Sequence, residues 1–179
     1  MKHRSVFLLF FSLVFAVESN AATASGGACG DNRVKFEVTT EKAEPVPPSP
    51  DAGKALIIFV QMDEGSRQFA ADPTTLFGVD GRWVGANQGN SYFALPVAPG
   101  EHHVCADWGK RAEVATVTAE PGKVYYYLAK TVTDGEDVAQ GGRVRHRVVG
   151  QSLELVALSE DEGKYRVKVS ERSLATQRR

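Results

Sequence analysis

Short apolar runs of strand length alternate with tight-turn dipeptides through the middle of the chain. The turn signals are Asp80-Gly81, Pro99-Gly100 and Pro121-Gly122. Asp-Gly tolerates the positive φ angles of a two-residue hairpin, and Pro-Gly fits the central positions of a type II turn. This pattern predicts antiparallel β structure. The predicted strands are 54–60, 74–79, 82–86, 91–97, 101–108, 112–118 and 124–128.

The flanking regions extend this framework. Residues 33–40 alternate apolar and polar side chains, which predicts a strand, and a proline-rich spacer follows at 44–50. Residues 131–142 are polar and glycine-rich and predict an exposed loop, after which strands resume at 143–149 and 152–158. Ser159 and Glu162 match a capping box and predict a short helix, although Val167 and Val169 also suit a strand.

These elements predict an all-β fold, an antiparallel β-sandwich of Ig-like or prealbumin-like type with about seven to nine strands and a short C-terminal helix. The run 54–60 is apolar almost without alternation, so it is the predicted central strand, covered on both faces. The predicted domain spans 51–170. Residues 25–50 form an N-terminal strand arm with its spacer, and residues 171–179 have no core-forming pattern and predict a flexible tail.

The N-terminus has the plan of a secretory signal peptide. A basic start at Lys2 to Arg4 precedes an apolar run at 6–17, and small residues follow. The predicted signal peptide is 1–21, with cleavage after Ala21 or Ala24. The apolar run is too short for a membrane anchor, which needs about 20 apolar residues. We therefore expect an exported protein, in the periplasm, on the outer-membrane surface or outside the cell, without a transmembrane segment once the signal is removed.

In an exported protein the two cysteines can form a lasting disulfide, since disulfides persist in oxidising compartments. Cys29 and Cys105 are predicted to form a disulfide, which by chain entropy contributes up to roughly 4 to 5 kcal/mol. Two alternatives are a lipid on Cys29, or a zinc site of both cysteines with His103 and Asp107. No cofactor is predicted. His102, directly after a Pro-Gly turn, is expected to pack or hydrogen-bond at a strand start.

Two clusters are candidates for a binding surface. Tyr125 and Tyr127 share one face of a predicted strand and suit stacking on sugars or a protein interface, although core packing explains them too. Arg143, Arg145 and Arg147 alternate along another strand and suit an anionic glycan, lipid phosphate or acidic partner. The alternative is an edge strand whose charges prevent aggregation.

The sequence contains no recognisable catalytic motif. Ser66 and Ser91 lack a nucleophile-elbow context, and no Gly-rich phosphate loop leads from a strand into a helix. The formal net charge of -1 does not suggest a nucleic-acid partner. The sequence therefore predicts a protein that is not an enzyme.

Several short motifs together resemble a known family. They are Gly53-Lys54-Ala55-Leu56, Val79-Asp80-Gly81 with Val84-Gly85, Ser91-Tyr92-Phe93, Pro99-Gly100-Glu101-His102 and Gly122-Lys123-Val124-Tyr125-Tyr126. This series resembles a bacterial family of exported domains of unknown function, and its "DG…G", "PG.H" and "GK.YY" elements are similar to those of PEGA-type surface β domains. The resemblance covers about residues 51–162. It implies a β-sandwich, bacterial origin and an envelope or extracellular location, and it supplies no catalytic residue.

The sequence thus predicts a secreted or envelope-associated β-sandwich module that binds or supports an envelope protein through protein contacts. The alternative is a carbohydrate- or anion-binding domain that uses the tyrosine and arginine residues.

Overall fold

Ten strands and one helix make up the described part of the chain. The computed structural model describes residues 29–30, 34–42, 48–62, 73–109 and 112–178, so the predicted signal peptide and Ser66 lie outside it. The elements are β1 Lys35–Glu41, β2 Ala55–Met62, β3 Thr74–Val79, β4 Arg82–Gln88, β5 Ser91–Val97, β6 Gly100–Asp107, β7 Ala112–Ala119, β8 Val124–Gln140, β9 Arg143–Leu158, α1 Glu160–Val169 and β10 Glu171–Arg178.

The strands form two sheets. One has six strands in the order β1-β10-β5-β2-β8-β9, and the other has four in the order β4-β3-β6-β7. A mostly β fold with a short helix is confirmed. Most of the strand pairs are antiparallel, as predicted, but β2 pairs with β8, and β10 with β5, in parallel. Each parallel pair joins strands that are distant in sequence, so no local turn signal revealed it.

The main core lies between the two sheets. Phe59 of β2, Phe77 of β3 and Tyr127 of β8 contribute to one buried cluster, and the Phe59 ring lies 4.8 Å from that of Phe77. The other face of β2 belongs to a second cluster with Val167 of α1. Strand β2 is therefore covered on both faces, which explains its unbroken apolar sequence and confirms the prediction of a central strand.

Helix α1 covers the outer face of the six-stranded sheet. Its start is the predicted one: the Ser159 side chain accepts a hydrogen bond from the Glu162 N–H at 3.3 Å. Gly163 allows the close approach to the sheet, because a Cβ atom at this position would lie 2.1 Å from Cγ of Tyr126. The helix alternative for the Val167 region is thereby confirmed over the strand alternative.

Local turn chemistry set most of the strand boundaries. Asp80 and Gly81 have φ angles of 50° and 76°, as a two-residue hairpin between β3 and β4 requires. The strands predicted between residues 54 and 128 are confirmed within one or two residues at each end, except that the last one continues far beyond Leu128.

The predicted loop at 131–142 is wrong. These residues continue β8 and turn back into β9 at Gly141-Gly142, whose φ angles are 59° and 74°. The segment is polar, and none of its residues belongs to the described core clusters. The predicted strands at 143–149 and 152–158 are accordingly one strand, with a register irregularity after Asp134 on the facing strand.

The predicted flexible tail is also wrong for residues 171–178, which form β10. This strand lies between β1 and β5 and pairs antiparallel with all of β1. Ser173 is its clearest buried position, and its hydroxyl donates to the Ala86 carbonyl at 2.8 Å. Because a polar residue fills that buried position, hydrophobic alternation does not mark the strand in the sequence.

Candidate functional site

The distal part of the β8–β9 hairpin leaves the body of the protein. Strand β8 pairs with β2 as far as Lys130, and from Thr131 to Gln140 the only described strand that pairs with it is β9. Lys130 forms an ion pair with Glu154 at 2.9 Å at the point of departure. We call residues 131–150 the ribbon. The ten residues of its β8 strand span about 33 Å at roughly 3.3 Å per residue.

Near its turn, the described side chains of the ribbon are exposed on both faces, among them Glu136 and Ala139. Arg143 and Arg145 are exposed on one side of β9, and Val144 between them is 71% exposed. A large apolar side chain this exposed serves no packing purpose within the described residues. The ribbon therefore presents both charge and an apolar group to its surroundings.

The strand register separates the three arginines. Arg143 lies across from Gln140 and Arg145 across from Val138, whereas Arg147 lies across from the acidic Glu136. Directly opposed residues of an antiparallel pair share a face. Glu136 and the next residue, Asp137, also already interact with another group. The end of the ribbon is therefore basic, and its base carries both signs of charge.

Strand β9 is an edge strand, as the alternative interpretation of the arginines predicted. It is the last strand of the six-stranded sheet. Edge position and an exposed basic stretch are compatible with protection against aggregation and with recruitment of a partner strand. The structure thus places the arginines at a sheet edge on a projecting element, and for Arg147 it describes the backbone only.

The tyrosines do not form part of this surface. Tyr127 is 4% exposed and packs in the core between the sheets, with Tyr125 against the same cluster and Tyr126 on the helix side. The Tyr125 hydroxyl accepts a hydrogen bond from the Glu120 N–H at 3.0 Å. Burial raises the pKa of Tyr126 and of Tyr127. The core-packing interpretation accounts for all three rings, and none of them is placed to stack on a sugar.

The disulfide between Cys29 and Cys105 is confirmed, with a Cα–Cα distance of 5.6 Å. It lies on the outer face of the four-stranded sheet against Trp83. The bond occupies both sulfur atoms, so neither the zinc site with His103 and Asp107 nor a lipid on Cys29 is compatible with it. Among the residues that the structure describes, no group of three His, Cys, Asp or Glu side chains is placed to hold a metal ion.

His102 holds two turns together. Its Nδ1 donates to Oδ2 of Asp80 at 2.6 Å, and its Nε2 donates to the Ala98 carbonyl at 2.7 Å. The other oxygen of Asp80 accepts from the His103 N–H at 2.9 Å. Both partners of the ring are acceptors, so this arrangement requires the doubly protonated imidazolium. The expectation that His102 hydrogen-bonds at a strand start is confirmed, while its partner Asp80 had no signal in the sequence.

The electrostatics of this pair follow from its hydrogen bonds. Burial lowers the pKa of His102, but the hydrogen bonds to Asp80 and to the Ala98 carbonyl outweigh it, so the pKa is raised. Burial raises the pKa of Asp80, and the hydrogen bonds from His102 and from the His103 N–H outweigh it in turn, so that pKa is lowered. Each group stabilises the charged form of the other.

Other polar features of the described residues have structural roles. Ser91 is fully buried, and its hydroxyl accepts from the Gln88 N–H at 3.2 Å, so it is not an exposed nucleophile. A groove of about 480 Å³ runs between β1, the β4–β5 turn and the end of α1, lined in part by Thr40, Asn90 and Val169. Glu171 also lines this groove, and its carboxylate accepts a hydrogen bond from the Thr40 hydroxyl. The ribbon remains the candidate surface.

The ribbon had a signal in the sequence. Gly-Gly between two runs of alternating residues is a two-residue hairpin motif, and Gly141-Gly142 sits between 131–140 and 143–150. No feature of the sequence indicates that Val144 is exposed, since an isolated valine in a strand pattern is normally a core residue.

Comparison with known proteins adds no relative: no protein-family model, no curated protein and no solved structure matches the chain. Within the described residues, no helix combines the length and the apolar character needed to cross a membrane.

Proposed function

We propose that the chain is an exported binding module of a bacterial envelope, which contacts a protein partner through the ribbon. The observation that carries this proposal is that β8 continues for ten residues beyond its last pairing with β2 and, among the described strands, pairs there only with β9. A long hairpin without a core beneath it costs conformational entropy, and contacts with a partner offset that cost.

The rest of the molecule suits a rigid support for such a hairpin. The ribbon continues two strands of the larger sheet, and β8 is anchored next to the central strand β2. We propose that this support is a β-sandwich of the Ig-like or prealbumin-like kind, related to the exported domains that the turn motifs resemble. The disulfide is consistent with an oxidising, exported location.

Anion binding is the second candidate, and the exposed pair Arg143 and Arg145 favours it. Carbohydrate binding through the tyrosines loses its support because Tyr127 is buried and Tyr125 packs on the core. We propose no catalytic role, since the sequence contains no catalytic motif.

A shortened variant tests the role of the ribbon. Residues 134–150 are replaced by Asn-Gly, which joins the paired residues Thr133 and Gln151 through a two-residue turn. The wild-type and shortened chains are immobilised, exposed to an envelope extract of the producing cell, and the retained proteins are identified and quantified by mass spectrometry.

We expect a specific protein on the wild-type chain that the shortened chain does not retain, at unchanged melting temperature. Retention of the same proteins in the same amounts by both chains would contradict the proposal.

A further inference from the structure

Resting on the proposed function, we propose that the partner presents an acidic, extended protein segment, which adds as a strand to the free edge of β9 at the end of the ribbon. The proposal joins three observations: an unpaired strand edge, two arginines without acidic residues across the ladder, and an exposed valine between them.

The first observation is the edge itself. Strand β9 is outermost in its sheet, and among the described strands only β8 pairs with it. An edge strand presents a row of backbone N–H and C=O groups that another chain can pair with. Strand addition of this kind is a common mode of peptide recognition, in which the backbone ladder provides affinity and the side chains provide specificity.

The second observation is the distribution of charge. The ladder partners of Arg143 and Arg145 are the uncharged Gln140 and Val138, while Arg147 is opposite Glu136. Neither Arg143 nor Arg145 forms an ion pair with any described residue. Residues two positions apart on a strand are separated by about 7 Å, and alternate side chains on an added strand have the same spacing. Carboxylates at alternate positions of the partner would therefore face the two guanidinium groups.

The third observation separates a protein segment from other anions. A glycan or a lipid headgroup supplies no row of amide groups for the β9 edge, and neither has an apolar group for Val144, which is 71% exposed. An extended peptide supplies both. The buried tyrosines leave no aromatic platform beside the arginines on which a sugar would stack.

The same charges disfavour a second copy of the chain on this edge. Antiparallel pairing of β9 with β9 of another molecule would bring the basic stretches of 143–147 against each other, and like charges on adjacent strands destabilise a sheet. The edge is thus selective for an acidic strand over its own copy.

Synthetic peptides test the inference on the full mature chain. The probe is an eight-residue peptide of alternating Thr and Glu, capped at both ends, and binding is measured by calorimetry and by backbone NMR shifts. Replacing Arg143 and Arg145 by serine should weaken binding about 5- to 10-fold, as expected for two exposed charge contacts. The matched control replaces Arg82 and Lys168, exposed basic residues of β4 and α1, by serine and should leave the affinity unchanged.

Further probes separate strand addition from simple charge attraction. A peptide with Lys in place of Glu, and an acidic peptide with every backbone amide N-methylated so that none can donate, should both fail to bind. Bound acidic peptide should shift the β9 amides at 143–149 and protect those among them that do not already donate to β8.

Three results would overturn the inference: no binding of the acidic peptide at millimolar concentration, equal binding by the arginine variant, or binding of phosphatidylglycerol vesicles or sulfated dextran in place of the peptide. These outcomes are independent of the shortened-ribbon experiment. If that variant loses its partner while the acidic peptide does not bind, the acidic-strand inference fails and the proposed function stands.

Discussion

At the scale of single residues, the pair of His102 and Asp80 has the most definite consequence. The imidazolium joins the β3–β4 turn to the β5–β6 turn, since its two nitrogen atoms donate to Asp80 and to the Ala98 carbonyl. Because the folded pKa of His102 is raised, its contribution to stability is complete below about pH 6.5, the usual value for histidine, and is lost as the pH rises through the folded pKa. Because the folded pKa of Asp80 is lowered below the usual 3.8, the contribution of Asp80 to stability is complete above about pH 3.8. It is lost as the pH falls through the folded pKa.

We therefore expect the melting temperature of the wild-type chain to fall between pH 6 and pH 9 by an amount that the His102→Gln variant does not show. Asp80→Ala should cost about 1 to 2 kcal/mol near pH 6, because it removes two hydrogen bonds to a partly exposed carboxylate. Thermal unfolding across this pH range measures both effects. His103→Gln is the matched control, since the side chain of His103 is 51% exposed. An equal pH dependence in the His102→Gln and wild-type chains would refute the role of the pair.

Gly163 is the second residue with a specific requirement. Alanine is normally better than glycine inside a helix by about 1 kcal/mol. Here the added Cβ would meet the Tyr126 ring at 2.1 Å, so α1 would have to move away from the sheet. We expect Gly163→Ala to destabilise the protein by about 2 kcal/mol in chemical denaturation, as an overpacked core site does.

A measurement in the Tyr126→Ala background tests whether the clash with Tyr126 causes this destabilisation. In it, Gly163→Ala should become neutral or stabilising, since the clash is gone and only helix propensity remains. A gain in stability from Gly163→Ala in the wild-type background would show that the helix does not pack as described.

At the scale of elements, the sequence predicts those parts of the fold whose information is local. The Asp80-Gly81 hairpin and the Ser159 cap depend on turn and cap chemistry within a few residues, and both are confirmed. Strand β2 is equally predictable, because burial on both faces requires a continuous apolar run. These elements need no knowledge of the partner strands.

Two elements are missed for a physical reason that they share. Strand β10 and the ribbon are held mainly by backbone ladders, and ladders leave little trace in side-chain pattern. Of the candidate site, the arginine positions and the edge location were predictable. The burial of Tyr125 and Tyr127, which excludes both from the candidate site, was not predictable. Alternation shows that the two rings share a face of the strand, but it does not show whether a second sheet covers that face.

A further prediction concerns the contribution of strand β10 to stability. It connects β1 to the rest of the sheet and carries ion pairs from Arg172 to Glu41 and from Arg178 to Glu37. Truncation after Ser170 should lower the free energy of unfolding by about 2 to 4 kcal/mol, since several ladder bonds of about 0.5 to 1.5 kcal/mol each are lost.

Truncation after Thr176 is the control for β10. It removes only the end of the strand and should cost less than about 1 kcal/mol. Denaturant unfolding compares the two chains. Equal stability of the chain ending at Ser170 and the full-length chain would mean that the segment is a tail after all.

At the scale of the whole molecule, the proposed function distinguishes the body of the protein from the ribbon. Two sheets with a common core, a helix on the outer face and the Cys29–Cys105 bond make a rigid body. The ribbon extends from that body without a core of its own, and it carries the basic and apolar groups that the body does not use. We therefore propose that the body provides stability and that the ribbon provides binding.

Site-specific photo-crosslinking in the producing cell tests that division most directly. A benzoylphenylalanine residue replaces Val144 on β9, and in a matched control it replaces Val114, another exposed valine, which lies on β7 at the edge of the smaller sheet. We predict a discrete adduct with one protein from position 144 and none from position 114. Absence of an adduct at position 144, or the same adduct from both positions, would contradict the account.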